Sequence, residues 1–460
     1  MFPYSTPFPT HPESLMRRRS FSVKAAGAAL AAGTSIMPFP AAFALIPPKS
    51  WPVRTLAGKS LADLREEYRY WLFDDYLPFM DAHVIDHELG GFMCNADRDG
   101  TILSTEKRSG FAGRGLWVYS HLYRTLDRNP AYLEVARKTL GFLLRGRPKD
   151  GSLWPPSFTR EGEPIGDIPE SVNTELYIAE GIAEYARAAK DDKYRRLARD
   201  IMFNCLRIYD APGYLADSGK GFLGPDGPET GGVTLLDDFM LLLRLATQML
   251  EEAPDSEIEA LAKRCTDTIT NNFYNPELRL LNEMLTQDLV HPPNDISQIV
   301  TFGNIFQALW HTLFEAARTK NLPLFETTAA RLRRHIEVAW DDVYGGVFGT
   351  LKHVDNNIWE TSKINYVQAE CLIGLLAVIE HTGADWAREW FGRIYAYTLA
   401  NFPLKKYGFP LWNVSADRKA TFVTHSNRME NYHHPRHLML NMECLDRIIR
   451  RGGKTSGVFG

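Results

Sequence analysis

The chain has 460 residues, 45% of them hydrophobic and 23% charged, with 52 Lys and Arg set against 56 Asp and Glu. A formal charge of −4, with no cationic run beyond the N-terminus, excludes a nucleic-acid surface of the usual basic kind, and the balance is that of an ordinary soluble globular chain. Length alone permits one large domain or several small ones. Aromatic residues at 12% suit a large core or a pocket that stacks flat ligands such as sugar rings.

The first informative element is Arg17-Arg18-Arg19-Ser20-Phe21-Ser22-Val23-Lys24, which fits the twin-arginine export pattern. The small-residue stretch from Ala25 to Met37 that follows is too short and too weakly hydrophobic to span a bilayer, and Ala42-Phe43-Ala44 offers a cleavage site. Residues 1–44 are therefore expected to be a cleavable signal peptide that engages the twin-arginine translocase, with Met16 a second candidate start to Met1. Residues 45–460 are expected to form a single catalytic domain that works in a periplasm or outside the cell, with no membrane attachment after cleavage.

Beyond Pro47-Pro48 the chain repeats itself: an apolar helix, a short polar break, then a charged amphipathic helix. The units run from Leu116 to Thr125, Ile178 to Ala189, Leu235 to Glu252, Phe306 to Thr319 and Ala369 to Thr382, each followed by its amphipathic partner. The breaks near Asp127, Asp191, Asp255, Asn321 and Ala384 are about 64 residues apart. With Leu61 to Ala82 before the first unit and His437 to Arg450 after the last, the pattern predicts six helical hairpins closed into an all-α (α/α)6 barrel. An open helical-repeat array is the alternative. Short β-hairpin loops, such as Gly91 to Leu103 around Asp97-Arg98-Asp99-Gly100, are expected to gather on one rim and wall a central cavity.

No metal or nucleotide signature is present. His83 and His87 are off the HExxH pattern, and His433 with His437 has Pro435 between them. The five cysteines are scattered without a CxxC pair and read as buried thiols. There is no GxSxG, no P-loop and no GxGxxG opening a helix after a strand, so no cofactor is expected. Three residues do carry chemistry. Glu370 lies inside an apolar helix, where an unpaired carboxylate is expensive; it is paired with an arginine or held ready for hydroxyls. Arg114 starts another apolar helix, and a salt bridge between the two would satisfy both. His433 opens the last helix as a candidate base.

Taken together, several stretches resemble the N-acylglucosamine 2-epimerase superfamily, which includes mannose and sulfoquinovose isomerases and cellobiose 2-epimerases. They are Gly90-Gly91-Phe92 with Asp97-Arg98-Asp99-Gly100, Gly113-Arg114 with Trp117 and Tyr123, Asp342 to Phe348, Gln368-Ala369-Glu370-Cys371-Leu372, and Tyr432-His433-His434-Pro435-Arg436. They occur in the family's order over nearly the whole mature chain. The resemblance implies cofactor-free epimerisation or isomerisation of a mono- or oligosaccharide through ring opening and an enediolate, with two histidines moving protons. It implies His433 as base or acid, Arg114 and Glu370 as substrate-binding residues and Glu283 on a family acidic position. The candidate set read from the sequence is His433 and Glu370 as catalytic, with Arg114, Glu283, Asn304, Gln307, Tyr366, Trp412 and Arg436 for substrate binding.

One departure matters. The family's other histidine opens a Gly-His-x-x-Glu segment, and here the matching stretch runs Gly303-Asn304-Ile305-Phe306-Gln307. An amide has no accessible pKa near neutrality and is no general base. His311, two turns on, lies too deep to substitute, and Phe409-Pro410-Leu411-Trp412 replaces a family Glu-Trp. Three functions are compatible: an epimerase or aldose–ketose isomerase relying on His433, a polysaccharide or uronate lyase or hydrolase on the same scaffold with His433 or Tyr366 acting, and a non-catalytic sugar-binding protein. Trp310, Trp359 and Trp412 are the candidate sugar-stacking rings in any of them.

Overall fold

Apolar helices that bury all their sides alternate with helices that bury one, and this sorts the chain into two concentric rings. The computed structural model describes residues 52–97, 99–167, 171–211, 214, 233–404, 409–410, 413–415 and 431–460. The proposed signal peptide, Trp412, Arg98 and most of the loop from Pro212 to Gly232 lie outside the described residues.

Helix α1 runs through Leu61–Arg69, a π-helical stretch Tyr70–Tyr76 and Leu77–His83. There follow α2 (Ser109–His121), α3 (Pro130–Arg145), α4 (Asn173–Ala189), α5 (Asp192–Tyr209), α6 (Leu236–Glu252) and α7 (Ser256–Asp267). The last five are α8 (Phe302–Arg318), α9 (Leu322–Ala339), α10 (Asn365–Thr382), α11 (Asp385–Asn401) and α12 (His433–Arg450). Even-numbered helices form the inner ring. The contrast within one hairpin shows why: α10 buries sixteen of its eighteen residues, α11 five of seventeen.

Consecutive inner helices pack side by side from α2 to α12, and α1 packs on α12. The sixth hairpin is thus made by the two ends of the fold, and the ring closes as the (α/α)6 barrel expected from the repeat. Val53 N–H donates to the Gly453 carbonyl at 2.8 Å and ties the ends together.

The polar breaks read from the sequence are caps of outer helices. Asp191, Asp255 and Asn321 accept from the exposed first-turn amides of α5, α7 and α9. Asn129, two residues past the expected break, does so for α3. Each such cap contributes about 1 kcal/mol. Ala384 has no side chain to do this, and α11 starts without one.

Inner helices α2 and α4 meet at glycines. A Cβ on Gly181 would fall inside contact distance of the Gly113 carbonyl oxygen, and one on Gly113 would strike the Ile178 backbone. Gly181→Ala is therefore expected to lower stability by about 1–3 kcal/mol, because neither obstacle is a movable side-chain tip. Urea unfolding with an unchanged midpoint would show that the helices part freely.

Short antiparallel hairpins lead into the N-termini of the inner helices, as expected. Asn95–Ala96 pairs with Ile102–Ser104, and Val300–Thr301 pairs with Thr350–His353, which pairs in turn with Ile358–Glu360. Beneath two of the Gly-Gly turns lies a buried ion pair that the sequence reading missed. Asp86 caps the Glu88 and Leu89 amides and meets Lys107 at 2.9 Å. Asp341 caps Val343 and Tyr344 and meets Lys363 at 2.5 Å. Both lysines sit in the strand that leads into an inner helix, so each pair anchors a rim turn to the barrel.

At the opposite end, His121 of α2 bridges the ring seam, with Nδ1 2.9 Å from Glu184 of α4 and Nε2 2.7 Å from Glu443 of α12. Burial lowers its pKa, but the two flanking carboxylates outweigh that and raise it above the ordinary 6.5. The imidazolium then contributes stability in full below pH 6.5, and loses it as pH rises through the folded value. His121→Gln is expected to flatten the decline in melting temperature above pH 6.5. Parallel pH curves for the two proteins would sink this reading.

Candidate active site

Six inner helices point their N-termini at one mouth of the barrel, and the polar residues gather there. None of the six has a side-chain cap on its first turn, in contrast to five of the outer helices. Their aligned dipoles place partial positive charge around this mouth.

Glu370, on the second turn of α10, is the hub. Its Oε1 accepts from Arg436 at 2.6 Å and lies 2.8 Å from Nδ1 of His433, and its Oε2 accepts from the Trp310 indole at 2.6 Å. All four groups are buried. Burial raises the Glu370 pKa, but the Arg436 charge and the His433 contact reverse this and hold it down to about 2. The expected partner of Glu370 was Arg114; the arginine found is Arg436, one turn into α12, whose guanidinium also donates to Gln307 at 2.9 Å. Spacing made Arg436 legible as a neighbour of His433 but not as the counter-ion reaching α10. Trp310 is likewise not a sugar platform: it has no exposed surface and serves as a donor to Glu370.

Arg114 stays on the mouth, half-buried, with its guanidinium 3.9 Å above the Tyr177 ring and 5.8 Å from Tyr432. That stacking holds a cation at the cavity wall. Below it, Tyr432 donates to Glu180 at 2.6 Å, and the other oxygen of Glu180 takes Arg244 at 3.3 Å. Tyr177, Glu180 and Arg244 were not singled out from sequence. The signal was present in Glu180 and Arg244, which are charges inside apolar inner helices, as Glu370 is.

Asn304 opens α8 and is half-exposed, with its amide nitrogen donating to Glu283 at 2.9 Å. Glu283 is fully buried, and that burial holds its carboxyl well above the usual range against the lowering effect of the Asn304 bond. An amide bonded to this buried acid therefore stands where the resemblance places a histidine. His311 makes no substitute: it is buried, bonded at Nδ1 to the Met240 carbonyl, and held well below its ordinary pKa by burial and by Arg244. Tyr366, on the first turn of α10, is half-exposed with its ring 4.8 Å from that of His433. Trp359 stacks on Phe302 at 5.8 Å and meets Phe348 at 5.3 Å in a tilted contact, beside the start of α8. Among the described residues no group of histidines, cysteines or carboxylates has the arrangement of a metal site.

Residues 90–435, which include this whole constellation except Arg436, match the model of the N-acylglucosamine 2-epimerase (GlcNAc 2-epimerase) family. The chain belongs to that family. It is 23% identical over 404 residues to the N-acylglucosamine 2-epimerase of Bos taurus, covering 82% of this chain and 90% of that one. Identity to the Homo sapiens enzyme is 23% over 402 residues, with 82% and 89% covered. Solved structures share the barrel, two of them as follows. Cellobiose 2-epimerase from Bacillus thermoamylovorans B4167 superposes with a TM-score of 0.72 at 17% identity, over 83% of this chain and 99% of that chain. A D-mannose isomerase superposes with a TM-score of 0.67 at 13% identity, over 85% and 97%. At the mouth this member of the N-acylglucosamine 2-epimerase family has His433, Glu370 and Arg114, with Asn304 and Gln307 in the stretch where the resemblance expects Gly-His-x-x-Glu.

Proposed function

We propose that the protein is an exported, cofactor-free sugar isomerase of this family, in which His433 moves a proton between C1 and C2 of an open-chain aldose. The observation that carries the reading is the His433–Glu370–Arg436 cluster at the mouth. With Nδ1 donating to Glu370, the basic lone pair of the imidazole is on Nε2, as proton abstraction from carbon requires. Arg114 and the inner-helix N-termini supply positive charge where an enediolate oxygen develops.

The Asn304 position favours aldose–ketose isomerisation over epimerisation. Inverting C2 needs protons delivered on opposite faces, whereas one base on one face suffices to carry a proton from C2 to C1. Export rests on the residue 17–24 pattern, and mature chains beginning after Ala44 in the extracytoplasmic fraction would support it.

The test is incubation of the mature protein in D2O with neutral aldoses and reducing disaccharides, followed by NMR. Ketose formation with deuterium entering at carbon is the expected result. Absence of exchange across the panel overturns the proposal. An unsaturated product from polyuronates points to a lyase in its place, and binding without turnover to a sugar-binding protein.

A further inference from the structure

Isomerisation moves two protons, one between carbons and one between oxygens, and His433 accounts only for the first. We propose that the Tyr366 hydroxyl carries the second, between O1 and O2 of the substrate. This rests on the isomerase reading above.

The geometry is specific. The Tyr366 ring lies 4.8 Å from His433, tilted by 44°. Its hydroxyl reaches across to the first turn of α8, where a Cβ added to Gly303 would collide with it. The phenol oxygen therefore packs against Gly303, the residue before Asn304, and the ring runs from there toward the base. The side chain is half-exposed at the mouth while Asn365, Val367 and Gln368 around it are buried.

Its surroundings keep the proton on oxygen at rest. Burial, and then the nearby carboxyls of Glu283, Glu370 and Asp237, raise the phenol above its ordinary pKa. A neutral donor is what the first step needs. His433 Nε2 takes the C2 proton, the C–H electron pair forms the C1=C2 bond, and the C1 carbonyl electrons move to O1, which takes the Tyr366 proton. The resulting phenolate removes the proton from the O2 hydroxyl. The O2 electrons then close the C2 carbonyl while the C1=C2 pair takes the proton back from His433 at C1. No oxidant, metal or third group is consumed, and Tyr366 and His433 end as they began.

Tyr366→Phe deletes one oxygen and leaves the ring against His433. The experiment measures, for the wild type and this variant, deuterium entry at C2 of recovered aldose and ketose formation in the same D2O incubation. Carbon deprotonation continues at a reduced rate in the variant while transfer between oxygens fails. Ketose formation is expected to fall about 100-fold with KM within about threefold, and the ratio of exchange to isomerisation to rise at least about tenfold. A purely structural role lowers both rates together, and an unchanged ratio overturns the proposal. Should Tyr366→Phe not fold, Gly303→Ala, which displaces the hydroxyl, is expected to raise the same ratio. Wild-type protein that exchanges no sugar would refute the isomerase reading, and this one with it; exchange by the wild type with an unaltered ratio in the variant refutes this one alone.

Discussion

Replacing His433 with glutamine is expected to lower sugar turnover by about 10²–10⁴-fold, and deuterium entry at carbon by the same factor, with KM little changed. Glutamine keeps a hydrogen-bonding group near Glu370 but has no lone pair of the right basicity. The fold should tolerate it. Glu370 retains the Arg436 and Trp310 bonds, which do not pass through the histidine. Melting within a few degrees of the wild type, together with the loss of exchange, separates a chemical defect from a structural one. Exchange within about tenfold of the wild type would remove His433 from the reaction. The comparison with Tyr366→Phe is informative, because the two variants should differ in kind: the glutamine change lowers exchange and isomerisation together, the phenylalanine change only their coupling.

The barrel was legible because its periodic signal is strong. An inner helix buried on all sides and an outer helix buried on one differ in composition over every turn, and the polar breaks between them are cap residues whose chemistry is local. The count of six hairpins already needed the two single helices at either end, and the contact of α1 with α12 makes them the sixth.

At the site, single residues were easier to find than their partners. Glu370, Arg114 and His433 stand out because a charge or a lone imidazole on an apolar helix needs a reason. Which arginine answers Glu370 depends on how α10 and α12 are juxtaposed, and sequence spacing carries no information about that. Tyr366 shows the same limit. Its hydroxyl matters through its position over Gly303, 63 residues away by subtraction along the chain, and only packing reports it. Gln307 and Arg436, named from sequence as candidate substrate groups, are buried and bonded to one another, and Arg436 is bonded to Glu370 as well.

Glu370→Gln is expected to cost about 3–5 kcal/mol of stability at neutral pH, because it leaves the fully buried Arg436 without its counter-charge. The pH dependence follows from the sign of the shift. Glu370 has a folded pKa of about 2 against 4.5 for the ordinary side chain. Its contribution is therefore present in full above pH 4.5 and is lost as pH falls through the folded value. Wild type and variant should converge between those limits, and a stability gap independent of pH would show that the pair is not the source. A second substitution separates stability from chemistry. In the double variant Glu370→Leu with Arg436→Met, both charges are gone and no buried ion is stranded, so much of the lost stability should return. Activity should not return with it, since the carboxylate that fixes the His433 tautomer and ring orientation is absent. A double variant as unstable as the single one would place the cost in packing around Trp310 and Gln307. An active double variant would mean that His433 is oriented by its other contacts, the Tyr366 and Tyr432 rings among them.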